Sequence, residues 1–404
     1  MSGSAAADVM QRADALARCT ETVGEITRPY GSPSLVRARD LVAGWMREID
    51  LTTDVDAIGN LTGRRGATDG AAFVLGSHLD SVRNAGRYDG PLGILVALAA
   101  AERTRGSRSP LEIVAFADEE GLRFRSSYLA SRAYAGLLDA TELAAVDDDG
   151  VPLVLAAADM GGDLDRIASA ARRPDGVLGY LEVHIEQGPV LEAEGLPVGV
   201  VTAIAGQSRG FVDLVGRAGH AGNTPPDLRA DALCAAAELV LAIEREMHDT
   251  PGLIATVGRI DNAPNVGNVI PGLTTVSYDV RHHDDAQREA AIDRLRGHAA
   301  EIAGRRRGVE ARWRHLQDHE AVPMSGRLRE RLAAAVTASG VAVRELRSGA
   351  GHDAVAISTL TPEVAMLFIR CQGGISHHPD ESVTEEDVAI AIDVVTAFLE
   401  SFDG

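Results

Sequence analysis

The feature that most restricts the fold of this chain is a repeated one: short apolar runs that stop at a polar cluster. Ala71 to Leu75 leads into Gly76-Ser77-His78, Leu111 to Ala117 into Asp118-Glu119-Glu120-Gly121, and Tyr180 to Ile185 into Glu186-Gln187-Gly188. Runs this short that are apolar throughout fit strands buried on both faces, in a sheet covered by helices. Helical patterns lie between them. Val36, Leu41, Val42, Trp45 and Met46 make an apolar stripe over Ser34 to Ile49, and Asp89-Gly90-Pro91 opens another helix with proline in its first turn. The expectation is an α/β layer whose polar clusters converge at the carboxyl ends of the strands, where open α/β sheets bind ligands.

The pattern changes between roughly Arg209 and His319. Alternating segments (Phe211 and Leu214, Thr275 to Val280, Val309 to Leu316) flank helical stretches near Ala230 to Met247 and Ala286 to Ile302. That is the signature of an α+β domain with a half-exposed antiparallel sheet. The α/β character returns with an apolar run at Val364 to Ile369 and a helix from about Thr384. The division expected is therefore 1–208 and 322–404 for one domain, interrupted by an inserted domain at 209–321.

Composition removes several function classes. A net charge of −20 over 404 residues disfavours a polyanionic partner, because nucleic-acid binding needs a basic face. The run Arg305-Arg306-Arg307 reads as the solvated end of a helix. The chain contains no lysine, so Schiff-base, phosphate-loop and kinase lysines are impossible. Cys19, Cys234 and Cys371 are far apart and odd in number, which fits a reducing cytoplasm. The N-terminal stretch has no apolar core of a signal peptide, and no run reaches the length of a membrane span.

The residues able to carry chemistry are individually ordinary. His78-Leu79-Asp80 could be a metal-ligating imidazole oriented by a carboxylate, or a capped core histidine. Asp89 could be a turn aspartate. Glu119 and Glu120 could be surface charge, although acids directly ending an apolar strand are costly unless solvated or paired. If the chain stays extended there, the two point opposite ways, one to a metal and one to a substrate. His184 stands in an apolar alternation, and His377-His378 closes the glycine-rich loop Gly373-Gly374-Ile375-Ser376. Together they form a set suited to two borderline metals bridged by an aspartate.

With these motifs the sequence resembles the di-metal amidohydrolase branch of the aminoacylase-like metallopeptidases, which holds N-carbamoyl-L-amino-acid hydrolases, β-ureidopropionases and allantoate amidohydrolases. The resemblance rests on Gly76-Ser77-His78-Leu79-Asp80-Ser81, Gly86-Arg87-Tyr88-Asp89-Gly90, Phe116-Ala117-Asp118-Glu119-Glu120-Gly121 and Glu182-Val183-His184-Ile185-Glu186-Gln187-Gly188. It continues through Gly219-His220-Ala221-Gly222, Asn268-Val269-Ile270-Pro271-Gly272, Ser348-Gly349-Ala350-Gly351-His352-Asp353 and Ser376-His377, in family order over nearly the whole chain.

The resemblance implies a metallopeptidase-like α/β domain, a mixed sheet flanked by helices, with an inserted α+β lid and dimerisation domain. It implies two divalent ions per subunit, zinc or manganese with cobalt or nickel also able to serve. Their ligands would be His78, Asp89, Glu120, His184 and His377, with Asp89 bridging. Asp80 would orient His78, and Glu119 would carry the proton between water and leaving nitrogen. Gln187, Arg209, His220, Asn268, Arg281 and Gly351 match substrate-binding positions, with His220 able to serve the reacting carbonyl. Arg281 suits a carboxylate through two parallel hydrogen bonds. The implied enzyme is a cytoplasmic homodimer acting on a small ureido substrate, allantoate or an N-carbamoyl-L-amino acid.

Departures from the family pattern are Ser81 for threonine, and Asn223 and Pro226 where threonine and methionine are expected. A dipeptidase or aminoacylase would share the metal ligands, but His184-Ile185-Glu186-Gln187-Gly188 argues against it. A non-catalytic homologue would have lost a ligand or the base. Gly206-Gln207-Ser208-Arg209-Gly210 matches the serine-hydrolase G-x-S-x-G, but a strand-like alternation follows it where a nucleophile elbow needs a helix.

Overall fold

The computed structural model describes residues 2–67 and 70–402. The chain folds as two units, one made of 1–202 with 324–404 and the other of 203–323.

The first unit is built on a mixed sheet. Its strands are β1 (Thr52–Val55), β2 (Leu61–Arg65), β3 (Ala72–His78), β4 (Leu111–Phe116), β5 (Val177–Ile185), β6 (Val198–Ile204), β7 (Glu345–Ser348) and β8 (Val364–Ile369). They are ordered β1-β2-β4-β3-β5-β8-β6, with β7 also pairing β6. The central ladders β4/β3, β3/β5 and β5/β8 are parallel. Every residue of β3, β4 and β8 is buried, which is why these segments show no alternation in sequence. The first ladder reaches His78, paired with Phe116, so the histidine is the last residue of the strand rather than one just past it.

Helices Ser2–Ala17, Pro91–Arg103 and Glu385–Glu400 pack on one another, and Pro91–Arg103 also lies against β3, β4 and β5. That helix is apolar nearly all round, as expected of one buried on most sides. Its closest approach is at Gly93, where a Cβ would stand 2.0 Å from the carbonyl oxygen of Val183.

The second unit carries a five-stranded antiparallel sheet in the order Ile260–Ala263, Leu273–His282, Gly206–Val215, Glu310–His319, with Ile254–Thr256 pairing Leu273–His282. Helices Ala232–Asp249 and Asp285–Arg305 cover one face over a core of Val212, Leu214, Leu239, Ile243, Val276 and Leu295. The unit begins six residues before Arg209 because Gly206, Gln207 and Ser208 already pair with His282, Arg281 and Val280. Ser208 lies inside that strand with its hydroxyl bonded to Asp318 and Arg288, so no nucleophile elbow forms.

Gly93→Ala tests the seating of the central helix. Alanine's helix propensity favours the variant by up to about 1 kcal/mol. A backbone oxygen in the path of the new methyl outweighs that, since overpacking costs roughly 1–3 kcal/mol. The expected outcome is a lower urea midpoint; an unchanged midpoint would show that the helix shifts freely.

Candidate metal centre

Because β3, β4, β5 and β8 run parallel, their carboxyl ends share one edge of the sheet. His78 ends β3, Glu119 and Glu120 follow β4, His184 is the last residue but one of β5, and Ser376-His377 lies in the loop after β8. Asp89 enters from the turn before helix Pro91–Arg103. Gly90 has a φ of +83°, and a Cβ on it would stand 2.5 Å from the His78 ring, so only glycine fits there.

Among the described residues three groups of side chains could hold a metal ion, and two of them share Asp89. Asp89 Oδ1 is 3.4 Å from His78 Nε2 and 3.1 Å from His184 Nε2, and those two nitrogens are 3.4 Å apart. Asp89 Oδ2 is 3.3 Å from His377 Nε2, which is also 3.3 Å from Glu120 Oε1. Ligands 2.0–2.2 Å from a tetrahedral ion stand about 3.3–3.6 Å from one another, so both groups have the span of an ion's ligand shell.

The outer faces of the rings fix their tautomers. His184 Nδ1 donates to the carbonyl of Ile185 at 3.0 Å, and His78 Nδ1 faces the backbone oxygen of Asp80 at 3.3 Å and its Oδ1 at 3.5 Å. Each Nε2 lone pair is thereby turned inward. Asp80 also accepts the backbone N–H groups of Glu119 and Glu120, at 3.0 and 3.2 Å. The two glutamates do not point opposite ways: an oxygen of each lies within 4.8 Å of a His78 nitrogen. The chain leaves β4 at Phe116 and turns, so the alternation of an extended strand no longer applies.

Charge is the second constraint. Asp80, Asp89, Asp118, Glu119, Glu182, Asp353 and Glu381 are all buried, and beside Asp80 the buried cation is Arg28. Burial, and next the charge of Glu120, push the Glu119 carboxyl well above the usual range. Burial alone would raise Asp89 too, but hydrogen bonds to His184, His377 and His78 hold it well below. The contacts with Asp89 and Glu120 push His377 up to about 10. His78 and His377 are thus driven to carry protons where they face the carboxylates. A divalent cation in that position supplies more of the same neutralisation, and the donor set of imidazole and carboxylate fits it.

Several supporting residues carry no sequence signal. Arg28, buried beneath the ligand strand, bonds the carbonyls of Leu79, Leu16 and Cys19 at 2.6–3.1 Å, and Ser81 Oγ accepts the Arg28 N–H. Asn60 accepts the N–H of Ala117 and donates to the carbonyl of Ala130, holding both sides of the Glu119 loop. Glu381 accepts the N–H groups of Tyr88 and Asp89; burial and the charge of Asp89 push its carboxyl up to about 7. Tyr128, Gln187 and His377 take positive φ, a strained conformation for such side chains that gathers where geometry matters more than stability. Tyr128 N–H bonds the Glu119 carbonyl at 2.8 Å.

Gln187, one of the expected substrate residues, donates to Asp89 Oδ2 at 2.9 Å and Ser376 Oγ at 3.1 Å. Gly351 lies under Tyr128, whose hydroxyl would be 1.6 Å from any Cβ there. Arg209, His220, Asn268 and Arg281 belong to the second unit. There Arg281 grips both oxygens of Asp279 at 2.9 and 2.8 Å, and Arg209 adds a third bond at 2.9 Å. His220 Nδ1 accepts the N–H groups of Gly222 and Asn223, so its Nε2 carries the proton. The strand Gly219–His220 pairs Val269–Ile270, which brings Asn268 to the same loop pair.

Residues 74–401 match peptidase family M20/M25/M40. The chain is 37% identical to an allantoate deiminase of Arabidopsis thaliana, over 98% of its own length and 82% of the relative's. It is 40% identical to an N-carbamoyl-L-amino acid amidohydrolase of Geobacillus stearothermophilus, over 92% of each chain. A crystal structure of an amidase of the hydantoinase/carbamoylase family from Burkholderia multivorans matches with a TM-score of 0.88 and 33% identity, covering 98% of this chain and 97% of that one.

The geometry separates the adjacent histidines. His378 is exposed, and its Nδ1 accepts the N–H of Asp380 at 3.2 Å, while His377 faces Asp89 and Glu120. His377→Ala should therefore lose bound divalent metal, measured by elemental analysis, and His378→Ala should retain it. The opposite pattern would move the ligand to His378.

Proposed function

The chain belongs to peptidase family M20/M25/M40, and from that footing we propose that it is a two-metal amidohydrolase of ureido substrates. It would hydrolyse the C–N bond of allantoate or an N-carbamoyl-L-amino acid with release of ammonia and carbon dioxide. The observation that carries this reading is the shared Asp89 carboxylate, one oxygen facing His78 and His184 and the other facing His377, itself in contact with Glu120, with Glu119 beside His78. The names of the relatives supply the substrate class, since allantoate and N-carbamoyl amino acids both offer a ureido carbonyl and a carboxylate.

In this reading His78, Asp89 and His184 hold one cation, and Asp89, Glu120 and His377 the other. Divalent cations there would supply Lewis acidity, polarising the carbonyl and easing proton loss from water. Glu119 takes the proton of the attacking water and returns it to the leaving nitrogen; its raised affinity for a proton suits it to both halves of that task. Asp80 keeps His78 aimed while its other oxygen holds the Glu120 N–H, so base and ligand keep one spacing.

Arg281, pre-aimed by Asp279 and seconded by Arg209, would take the substrate carboxylate together with Asn268. His220, with its proton on Nε2, would donate to the oxygen that gains charge. Gln187 and Gly351 would line the pocket. The second unit would serve as lid and as the contact of a homodimer. Among the described residues no helix is long and apolar enough to cross a membrane, and three free cysteines fit a cytoplasmic, reducing setting. The family resemblance points to zinc or manganese, and the imidazole and carboxylate donors are compatible with cobalt and nickel as well.

The chelator-dialysed protein should be inactive and recover with Mn²⁺, Zn²⁺, Co²⁺ or Ni²⁺; full turnover by metal-stripped protein would end the proposal. Glu119→Gln should keep its metal and lose about 10²–10⁴-fold in kcat, whereas Glu120→Gln should lose metal as well.

Substrate choice is tested by ammonia release from allantoate, a series of N-carbamoyl-L-amino acids and a dipeptide control. Ureido substrates should be turned over, allantoate foremost. Preference for the dipeptide would replace this reading with a peptidase.

A further inference from the structure

We propose that Glu381 is a positioning residue that builds the second of the two cation sites, by tying the loop of Asp89 to the loop of His377. The inference rests on the two-cation reading above and concerns a side chain outside the ligand set.

Glu381 follows His377 by four positions and is 3% exposed. A carboxylate so buried needs partners. Among the described residues it forms no ion pair with an arginine; its partners are the backbone and Ser376. Its Oε1 accepts two successive N–H groups, Tyr88 at 2.7 Å and Asp89 at 3.0 Å, across 293 positions of sequence. Successive N–H groups converging on one oxygen form an anion-binding concavity, and here the protein's own carboxylate fills it. Gly86 makes room: a Cβ there would lie 2.4 Å from the Glu381 carboxylate. The other oxygen, Oε2, is 3.5 Å from Ser376 Oγ, which in turn donates to Asp89 Oδ2 at 2.6 Å. One side chain therefore fixes the backbone of the bridging ligand and reaches the residue adjoining His377.

The two ligand groups depend on it unequally. His78 and His184 are placed by β3 and β5, strands locked in a parallel ladder. His377 sits in a loop at a positive φ, half exposed, with no ladder to hold it. Losing Glu381 should affect the first site little, since two of its three ligands are strand-held and only Asp89 is shared, and loosen the second, made of Asp89, Glu120 and His377. A side chain that only staples two loops for stability would instead weaken both sites, or neither.

The test uses full-length protein stripped by chelator and titrated with Mn²⁺ by calorimetry and equilibrium dialysis, beside thermal unfolding of the metal-free forms. Wild type should take two Mn²⁺ per subunit. Glu381→Ala should keep the first and bind the second about 10–100-fold more weakly, the usual loss when a ligand's outer partner is removed. Glu381→Gln keeps an acceptor oxygen in the same place and should restore the second site. The proposal is overturned if Glu381→Ala binds both ions as wild type does, if both sites weaken together, or if glutamine does not rescue. If wild type itself takes fewer than two ions, it is the two-cation reading that fails.

Discussion

Everything in the first unit turns on one carboxylate that faces two ways. Asp89 presents one oxygen to His78 and His184 and the other to His377, and it can do so only because it is buried among imidazoles. An isolated carboxylate in that position would be strongly disfavoured. Hydrogen bonds to His184, His377 and His78 instead hold it well below the usual carboxylate range. The neighbouring acids make the same demand in the opposite sense. Glu119, Asp353 and Asp118 are pushed to hold protons by burial first, and next by the charges of Glu120, Glu182 and Asp80 respectively. A site with this much buried negative charge is a site for cations, and its specificity lies in where the imidazoles turn their lone pairs.

The fold meets that demand with two kinds of support. The candidate ligands His78 and His184 are strand residues, held by ladders that are buried almost throughout. Ligands from loops are held by buried polar anchors: Asp80 for the Glu119-Glu120 turn, Asn60 for its flanks, and Glu381 for the Asp89 turn. Strain gathers in the second kind. The positive φ of Gln187 and His377 falls on loop residues at the centre, where a few kcal/mol of backbone strain is tolerated because the surrounding bonds overdetermine the conformation.

The strands were legible because a strand buried on both faces needs an unbroken apolar run, and Leu111 to Ala117 and Val364 to Ile369 are such runs. The inserted sheet was legible from its alternation, since one face meets helices and the other carries Gln207, Arg209, Asp279 and Arg281. The candidate ligand set was singled out only through motif resemblance, because each His or Asp alone has an ordinary structural reading. Two things escaped. The direction of Glu119 and Glu120 depended on where β4 ends, a one-residue matter that decides whether neighbours diverge. Glu381, Asn60 and Arg28 act through backbone groups far away in sequence, and nothing in composition or spacing marks which N–H or carbonyl a side chain will reach.

The absence of lysine sharpens the chemistry. All 39 basic residues are arginines, which stay charged at any working pH and cannot exchange a proton. Proton traffic near neutrality must then run through histidines or through acids lifted out of their usual range. At this centre the histidines are committed, with Nδ1 of His184 bound to a carbonyl and Nε2 turned to Asp89. Asp118 and Asp353 are lifted too, but Asp80 and Asp118 interact closely, and Asp353 is sealed at 0% exposure. Glu119, at 9%, retains an edge toward solvent and an oxygen near His78. Glu119 is more open than Asp118 or Asp353, which is what supports its proposed role as the proton carrier.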